Sequence, residues 1–262
     1  RAARAQGLDI VITLGGDGVV NEVVNGMLEE GVGDDVPILA TIPGGSGNVF
    51  ARALGIPVDA VEATGEIMEA IREKRTRTIG LGTVNGRWFT SNAGVGLDAE
   101  IISAMEEQRS AGRTASPTRY LMTTLRQYFA RTDRKNPALA LTSAAGAEEG
   151  VFLAIVQNTA PWTYFGSWPI DPCPQASFDS GLDVFALRKL RVVSAMRAAR
   201  RMLAHSTAGS TKDSIIVHHD LDSFTITCSR PMPMQVDGES TPEVSIAVFA
   251  SVPSALRVIA LQ

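Results

Sequence analysis

The chain has 262 residues, 45% of them hydrophobic and 20% charged, with a formal net charge of −4. That is enough for one large or two ordinary packed domains, and it excludes the global basic field that would advertise nucleic-acid binding. Cys173 and Cys228 are the only cysteines, and with His205, His218 and His219 they form neither a disulfide framework nor a metal-ligand spacing, which fits a reducing compartment.

The chain opens RAARAQGLD without an initiator methionine, as though in mid-element, so an upstream strand and helix are expected to precede it. No apolar signal-peptide core follows these polar residues. LDIVITL then reads as a buried parallel strand, and VVNEVVNGMLEE as a helix with Val20, Val23, Val24, Met27 and Leu28 on one face. PILATI is a second strand, followed by PGGSG and the short helix NVFARALGIP, for which Asn48 is a candidate N-cap. VDAVEATGEIMEAIREK is another amphipathic helix. Strand and helix thus alternate twice, each time through a glycine-rich loop at the strand's C-terminal end.

From about Arg77 the pattern changes. TIGLGTV and RWFTSNAG flank Asn85-Gly86, a strong two-residue hairpin signal. Helices are expected at LDAEIISAMEEQR, with Asp98 at its head, and at SPTRYLMTTLRQYFAR. Short β-like runs follow: PALALTS, GVFLAIVQN, GLDVFALRKL, SIIVHH, SFTITCS, PMQVDGE, EVSIAVFAS and ALRVIAL. The uncharged stretch at 151–170 is long enough to cross a membrane, but Gln157, Asn158, Pro161 and Pro169 argue against a spanning helix. A soluble protein is expected. Its α/β domain would occupy residues 1–78 and a β-rich domain residues 79–262, with the last strand a candidate to return to the first.

Chemistry concentrates in the loops. In GGDG, Gly15 and Gly16 let backbone N–H groups converge on an anion at the next helix N-terminus. Asp17 has the wrong charge to touch phosphate, so its natural partner is a metal, a hydroxyl or a proton. Taken alone, a helix-capping aspartate in a tight turn is the simpler reading. PGGSG, one strand later, suggests that both loops open onto one crevice and suit a nucleotide. Neither a dinucleotide fingerprint nor a Walker loop is present. VDGE at 236–239 reads by itself as a hairpin turn with Glu239 on its solvated face. One helix interrupts the later strands, VVSAMRAARRMLAHS. It sets Arg197, Arg200 and Arg201 beside Met196, Met202 and Leu203, a pattern of either an ordinary surface helix or one that docks on anionic lipid. TYFGSWPI, near Trp162, suits a lipid-facing loop or aromatic core packing equally.

The series GGDGVVNEVVNGM, IPGGSGNVFARALGIP, SNAGVGLDAE, CPQASFDSGLDVFAL and MQVDGE resembles, in order and over nearly the whole chain, the catalytic domain of the diacylglycerol kinase and sphingosine kinase superfamily in its bacterial lipid-kinase branch. The resemblance implies a doubly wound, NAD kinase-like α/β domain, a β-sandwich C-terminal domain, and transfer of the ATP γ-phosphoryl group to a lipid hydroxyl with Mg²⁺. A diacylglycerol-like lipid is the expected substrate. By the same likeness Gly15, Gly16, Asp17, Gly18, Val19, Val20, Asn21, Gly45 and Ser46 would bind the nucleotide. Asp17 would organise Mg-ATP and Glu239 would accept the lipid proton. A structural magnesium would fall on Ser177, Ser180 and the Leu182 carbonyl.

Three positions depart from the family pattern. Val19 stands where threonine is usual, Val49 stands where bacterial diacylglycerol kinases have Asp, and Ser180 replaces an Asp, which weakens that last site. The resemblance also implies a cytoplasmic enzyme, peripheral at the inner membrane surface, with ATP and a membrane lipid as partners and no nucleic acid. NAD kinase and a non-catalytic nucleotide or lipid sensor are the competing readings.

Overall fold

The computed structural model describes residues 1–96, 136–165, 167–190, 192–211 and 214–261. The helices expected around Asp98 and at 116–131 lie outside them. A short first helix, α1 (Ala2–Ala5), leads into β1 (Ile10–Gly15), and α2 (Asp17–Met27) follows at once. The second unit repeats the pattern with β2 (Ile38–Pro43), the five-residue α3 (Val49–Ala53) and α4 (Ala60–Arg72). β1 and β2 run parallel in register, Ile10 opposite Ile38 through Gly15 opposite Pro43. Both strands therefore end at one level, and their glycine-rich loops emerge side by side.

Helix periodicity explains the first core. Val20, Val24, Met27 and Leu28 of the α2 stretch are buried, as are Ala63, Ile67 and Ala70 of α4. They pack with Phe50, Leu54 and the chain's end, Ala255 to Ala260. Val23, expected on the same face, is only partly buried against that core. Asp59 caps α4 by accepting from the Val61 and Glu62 N–H groups at 3.0 and 2.9 Å.

The strand-rich remainder follows. β3 (Thr76–Val84) and β4 (Arg87–Phe89) form the expected hairpin, with positive φ at Asn85 and Gly86. Then come β5 (Asn92–Gly96), β6 (Leu139–Ser143), β7 (Gly146–Val151) and β8 (Leu153–Gln157). A small separate hairpin, β9 (Thr163–Phe165) with β10 (Trp168–Ile170), falls within the uncharged stretch. β11 (Leu182–Leu187), α5 (Val192–Leu203) and β12 (Ile215–Leu221) precede the two longest strands, β13 (Ser223–Val236) and β14 (Glu239–Ile259).

Those last two strands replace the four short runs expected from sequence. Pro231 and Pro233, then Pro242 and Pro253, suggest breaks. Instead the pairing shifts register between Thr227 and Met232, between Met232 and Met234, and between Val252 and Leu256. Such irregularities absorb residues that give no ladder N–H, so the strand bends and continues. The α/β first part and strand-rich second part are both present, and one sheet runs through them in the order β1-β2-β14-β13-β5-β8-β11-β12. β14 pairs with β13 and β3, and its Val258 reaches Leu39 of β2. No helix among the described residues is long and apolar enough to cross a membrane.

Candidate active site

The two glycine loops touch backbone to backbone. The Gly44 N–H donates to the Gly15 carbonyl at 2.9 Å. A Cβ on Gly45 would stand 2.6 Å from the Gly16 Cα, closer than side chains pack, so glycine is required for this approach. Asn48 closes the second loop: its Nδ2 donates to the Gly45 carbonyl and its Oδ1 accepts from the Gly45 N–H, both at 2.8 Å. Its φ of 49° places it in the left-handed region. Asn48 thus occupies the expected N-cap position of α3 but braces the loop instead of the helix.

Asp17 does the capping. Its Oδ1 accepts from the Phe50 N–H at 3.0 Å, and the Val49 N–H also bonds the carboxylate. The aspartate of the first loop therefore holds the helix of the second. Burial raises the Asp17 pKa above the ordinary carboxylate value, those two N–H groups oppose the shift, and the nearby Asp237 carboxylate adds to it. A buried carboxylate pushed this way favours a cation or a proton as its partner.

The opposite wall comes from the β13–β14 turn. Asp237 and Gly238 both have positive φ, 48° and 81°, the expected two-residue hairpin geometry. The turn is more than a connection, because Asp237 is buried and accepts five hydrogen bonds. Its Oδ2 takes Asn21 Nδ2 at 2.8 Å, the Thr90 N–H at 2.8 Å and Thr90 Oγ1 at 2.9 Å. Its Oδ1 takes the N–H groups of Ser91 and Asn92 at 2.8 and 3.0 Å. The Gln235 Oε1 accepts from the Gly238 N–H at 2.9 Å, and Gln235 Nε2 donates to Asn92 Oδ1 at 3.0 Å. This lock fixes Glu239 two residues on. The Glu239 carboxylate lies so close to Gly18 that a methyl group there would overlap it.

The residues singled out from sequence divide accordingly. Gly15, Gly16, Asp17, Gly18, Gly45 and Glu239 come together around the loop pair. Val19 is half exposed and covers Gly15, while Ser46 is exposed on the second loop. Val20 points into the first core, so only its backbone can face a nucleotide. The Asn21 side chain is engaged elsewhere, donating to the Trp88 carbonyl and Asp237 and accepting from Arg87 Nη2 at 2.7 Å.

Ser177, Ser180 and Leu182 lie on the turn into β11, outside this group. There the Ser177 carbonyl accepts from both the N–H and the Oγ of Ser180 at 3.1 Å, and the Gly181 N–H donates to Asp220. Asp179, in the same turn, pairs with Arg77 at 2.6 Å. The turn is thus closed by the chain's own bonds. No group of three His, Cys, Asp or Glu suited to a metal ion occurs among the described residues.

Two contributors had no signal in the sequence reading. Asp237 looked like a turn former, and only contacts far along the chain reveal its lock. Arg52 of α3 lies 3.2 Å over the Tyr164 ring of the β9–β10 hairpin, so a third segment reaches the loop pair. An arginine followed far downstream by a lone tyrosine carries no pattern from which this stacking could be inferred.

Residues 1–84 match the family model for the diacylglycerol kinase catalytic domain. Among curated proteins, a diacylglycerol kinase of Bacillus subtilis (strain 168) is 28% identical over 251 residues, covering 91% of this chain and 74% of that protein. The "Probable lipid kinase YegS-like" of Stenotrophomonas maltophilia (strain K279a) is 28% identical over 242 residues, covering 89% and 73%. The crystal structure of a diacylglycerol kinase from Bacillus anthracis str. Sterne superposes with a TM-score of 0.69 at 20% identity, over 99% of this chain and 79% of that one, which establishes the shared fold. Residues 1–84 are thus similar to the diacylglycerol kinase catalytic domain, within a chain that resembles bacterial lipid kinases over nearly its whole length.

Proposed function

We propose that this protein is a lipid kinase that moves the γ-phosphoryl group of ATP to the hydroxyl of a diacylglycerol-like lipid. The observation that carries this reading is the placement of the Glu239 carboxylate directly on Gly18 of the GGDG loop, next to Asp17. Phosphoryl transfer needs phosphate binding, a cation to offset charge and a base near the nucleophile, and the Gly18 loop, Asp17 as a ligand for the cation and Glu239 would serve these in turn.

The phosphate-binding element is the start of α2. Its N-cap is Gly16, and no side chain caps it. Its first N–H groups and positive dipole end therefore suit an anion. Magnesium fits the donor set in a limited way: it is held typically by one or two carboxylates plus substrate phosphates, not by an all-protein cage. Asp17 is the carboxylate for it, since Asp237 is fully committed to its five donors. Bound there, the ion would offset charge on the phosphates. Glu239 would take the proton from the lipid hydroxyl as the hydroxyl oxygen bonds to the γ-phosphorus and the bond from that phosphorus to the bridging oxygen of the departing ADP breaks. Asp237 keeps Glu239 in place, and Asn48 keeps the second loop against the first.

Incubation with γ-labelled ATP and Mg²⁺ against diacylglycerol, phosphatidylglycerol, a sphingoid base and NAD tests the reading. Label in lipid, with diacylglycerol foremost, is the expected result. Label in NAD alone contradicts it, and so does nucleotide binding with no labelled product anywhere.

A further inference from the structure

Thr90, Ser91 and Asn92 lead from β4 into β5, and all three are buried, so each of their backbone groups needs a partner inside the protein. Their N–H groups go to the Asp237 carboxylate. Their carbonyls are held as fully. The Thr90 carbonyl accepts from Asn158 Nδ2 at 2.9 Å, and the Ser91 carbonyl accepts from the Asn158 N–H at 2.8 Å. The Asn92 carbonyl accepts from the Asp237 N–H at 2.8 Å. Two successive peptide units are therefore gripped at both ends, by Asn158 at the carbonyl and by Asp237 Oδ1 at the N–H. A peptide unit is planar, so fixing its carbonyl end also aims its N–H.

Asn158 reaches further than this segment. Its Nδ2 also donates to the Gly80 carbonyl of β3 at 3.1 Å, and β3 pairs with β14, the strand that starts at Glu239. Asn158 itself begins the loop to the β9–β10 hairpin. The Trp162 carbonyl of that loop accepts from Asn92 Nδ2 at 3.1 Å, and the hairpin beyond it places Tyr164 under Arg52. The turn that carries Glu239 and the hairpin that carries Tyr164 are thus set from one buried segment.

Asn158 is not an ordinary core amide. It is fully buried, and its Oδ1 has no hydrogen-bond partner among the described residues. A buried acceptor without a donor costs stability, so the contribution of this side chain lies in its two donations. The amide cannot be turned over, because its oxygen would then face the carbonyls of Gly80 and Thr90.

We propose that Asn158 is a positioning residue for Glu239. By seating the peptide units of Thr90 and Ser91 it aims their donors at Asp237, and the Asp237 turn holds the Glu239 carboxylate beside Gly18. The inference rests on the lipid-kinase reading for the role of Glu239.

Asn158→Ala strips the donor from the Thr90 and Gly80 carbonyls and keeps the backbone N–H. In a single-turnover assay with labelled ATP, Mg²⁺ and diacylglycerol it should slow transfer by about tenfold or more. Binding of ADP with Mg²⁺, read by calorimetry, should stay unchanged, because the glycine loops are held by their own contacts. In the Glu239→Gln background the same substitution should cost nothing further, since residues that act through one group do not add. Equal slowing in both backgrounds overturns the proposal, as does no slowing in either or a loss of ADP binding that matches the loss of transfer. Thermal melts check folding. Should the alanine variant unfold, Asn158→Ser, whose hydroxyl can serve one of the two carbonyls, carries the same comparison. If neither variant folds, Asn158 is structural and the proposal fails. A wild-type protein that labels no lipid removes the kinase reading and this inference together. Labelled lipid with additive variants removes the role of Asn158 alone.

Discussion

Asp17 and Asp237 approach one another as like charges, and burial raises the proton affinity of Asp17 further. A carboxyl whose folded pKa lies above its unfolded value stabilises the fold while protonated, and that contribution is lost as pH rises from the ordinary carboxylate range through the folded value. At neutral pH an ionised, cation-free Asp17 therefore works against folding. Asn at this position keeps an oxygen for the Phe50 N–H and removes the charge. Asp17→Asn is accordingly expected to melt at the same temperature as wild type or higher at pH 7, with the difference closing at acid pH, while phosphoryl transfer falls at least about 100-fold. Melting curves across pH together with a transfer assay check both halves. A variant that loses activity because it unfolds would mean that Asp17 serves only as the cap of α3.

Between elements, the Asp237 lock joins α2 through Asn21, the segment leading into β5 through Thr90, Ser91 and Asn92, and the β13–β14 turn. Asn at this position must aim an amide donor at groups that are themselves donors. Asp237→Asn should lower stability by about 2–3 kcal/mol, read from urea denaturation, and should reduce transfer by releasing Glu239. Unchanged stability would show that the five bonds are weak or replaceable. The lock also marks where sequence reading stops. GGDG and PGGSGN were legible because each glycine cluster follows an apolar run, and β1 and β2 end in register. The Asp237 bonds join residues 145 to 216 positions apart, so no local pattern contains them. Asn48 was legible as the residue before α3, yet its left-handed backbone turns its amide to Gly45 and leaves the cap to Asp17. The prolines of β13 and β14 suggested strand ends where the sheet uses register shifts, because the pairing that tolerates them comes from neighbouring strands.

At the scale of the whole molecule, β14 explains how two distant motifs share one place. It begins at Glu239 beside Gly18, runs between β13 and β3, and finishes in the core that holds α2 and α4. The strand that carries the proposed base is thus packed into the same unit as the loop that would hold the phosphates. If GGDG and VDGE form a single phosphoryl-transfer site, Glu239→Gln should disable it without disturbing the fold. Its side chain is exposed and keeps nearly the same shape, so folding should be unaffected. In a single-turnover assay with labelled ATP, Mg²⁺ and diacylglycerol, the account predicts nucleotide binding retained and transfer slowed by about 100-fold or more. Transfer by Glu239→Gln at the wild-type rate would contradict it.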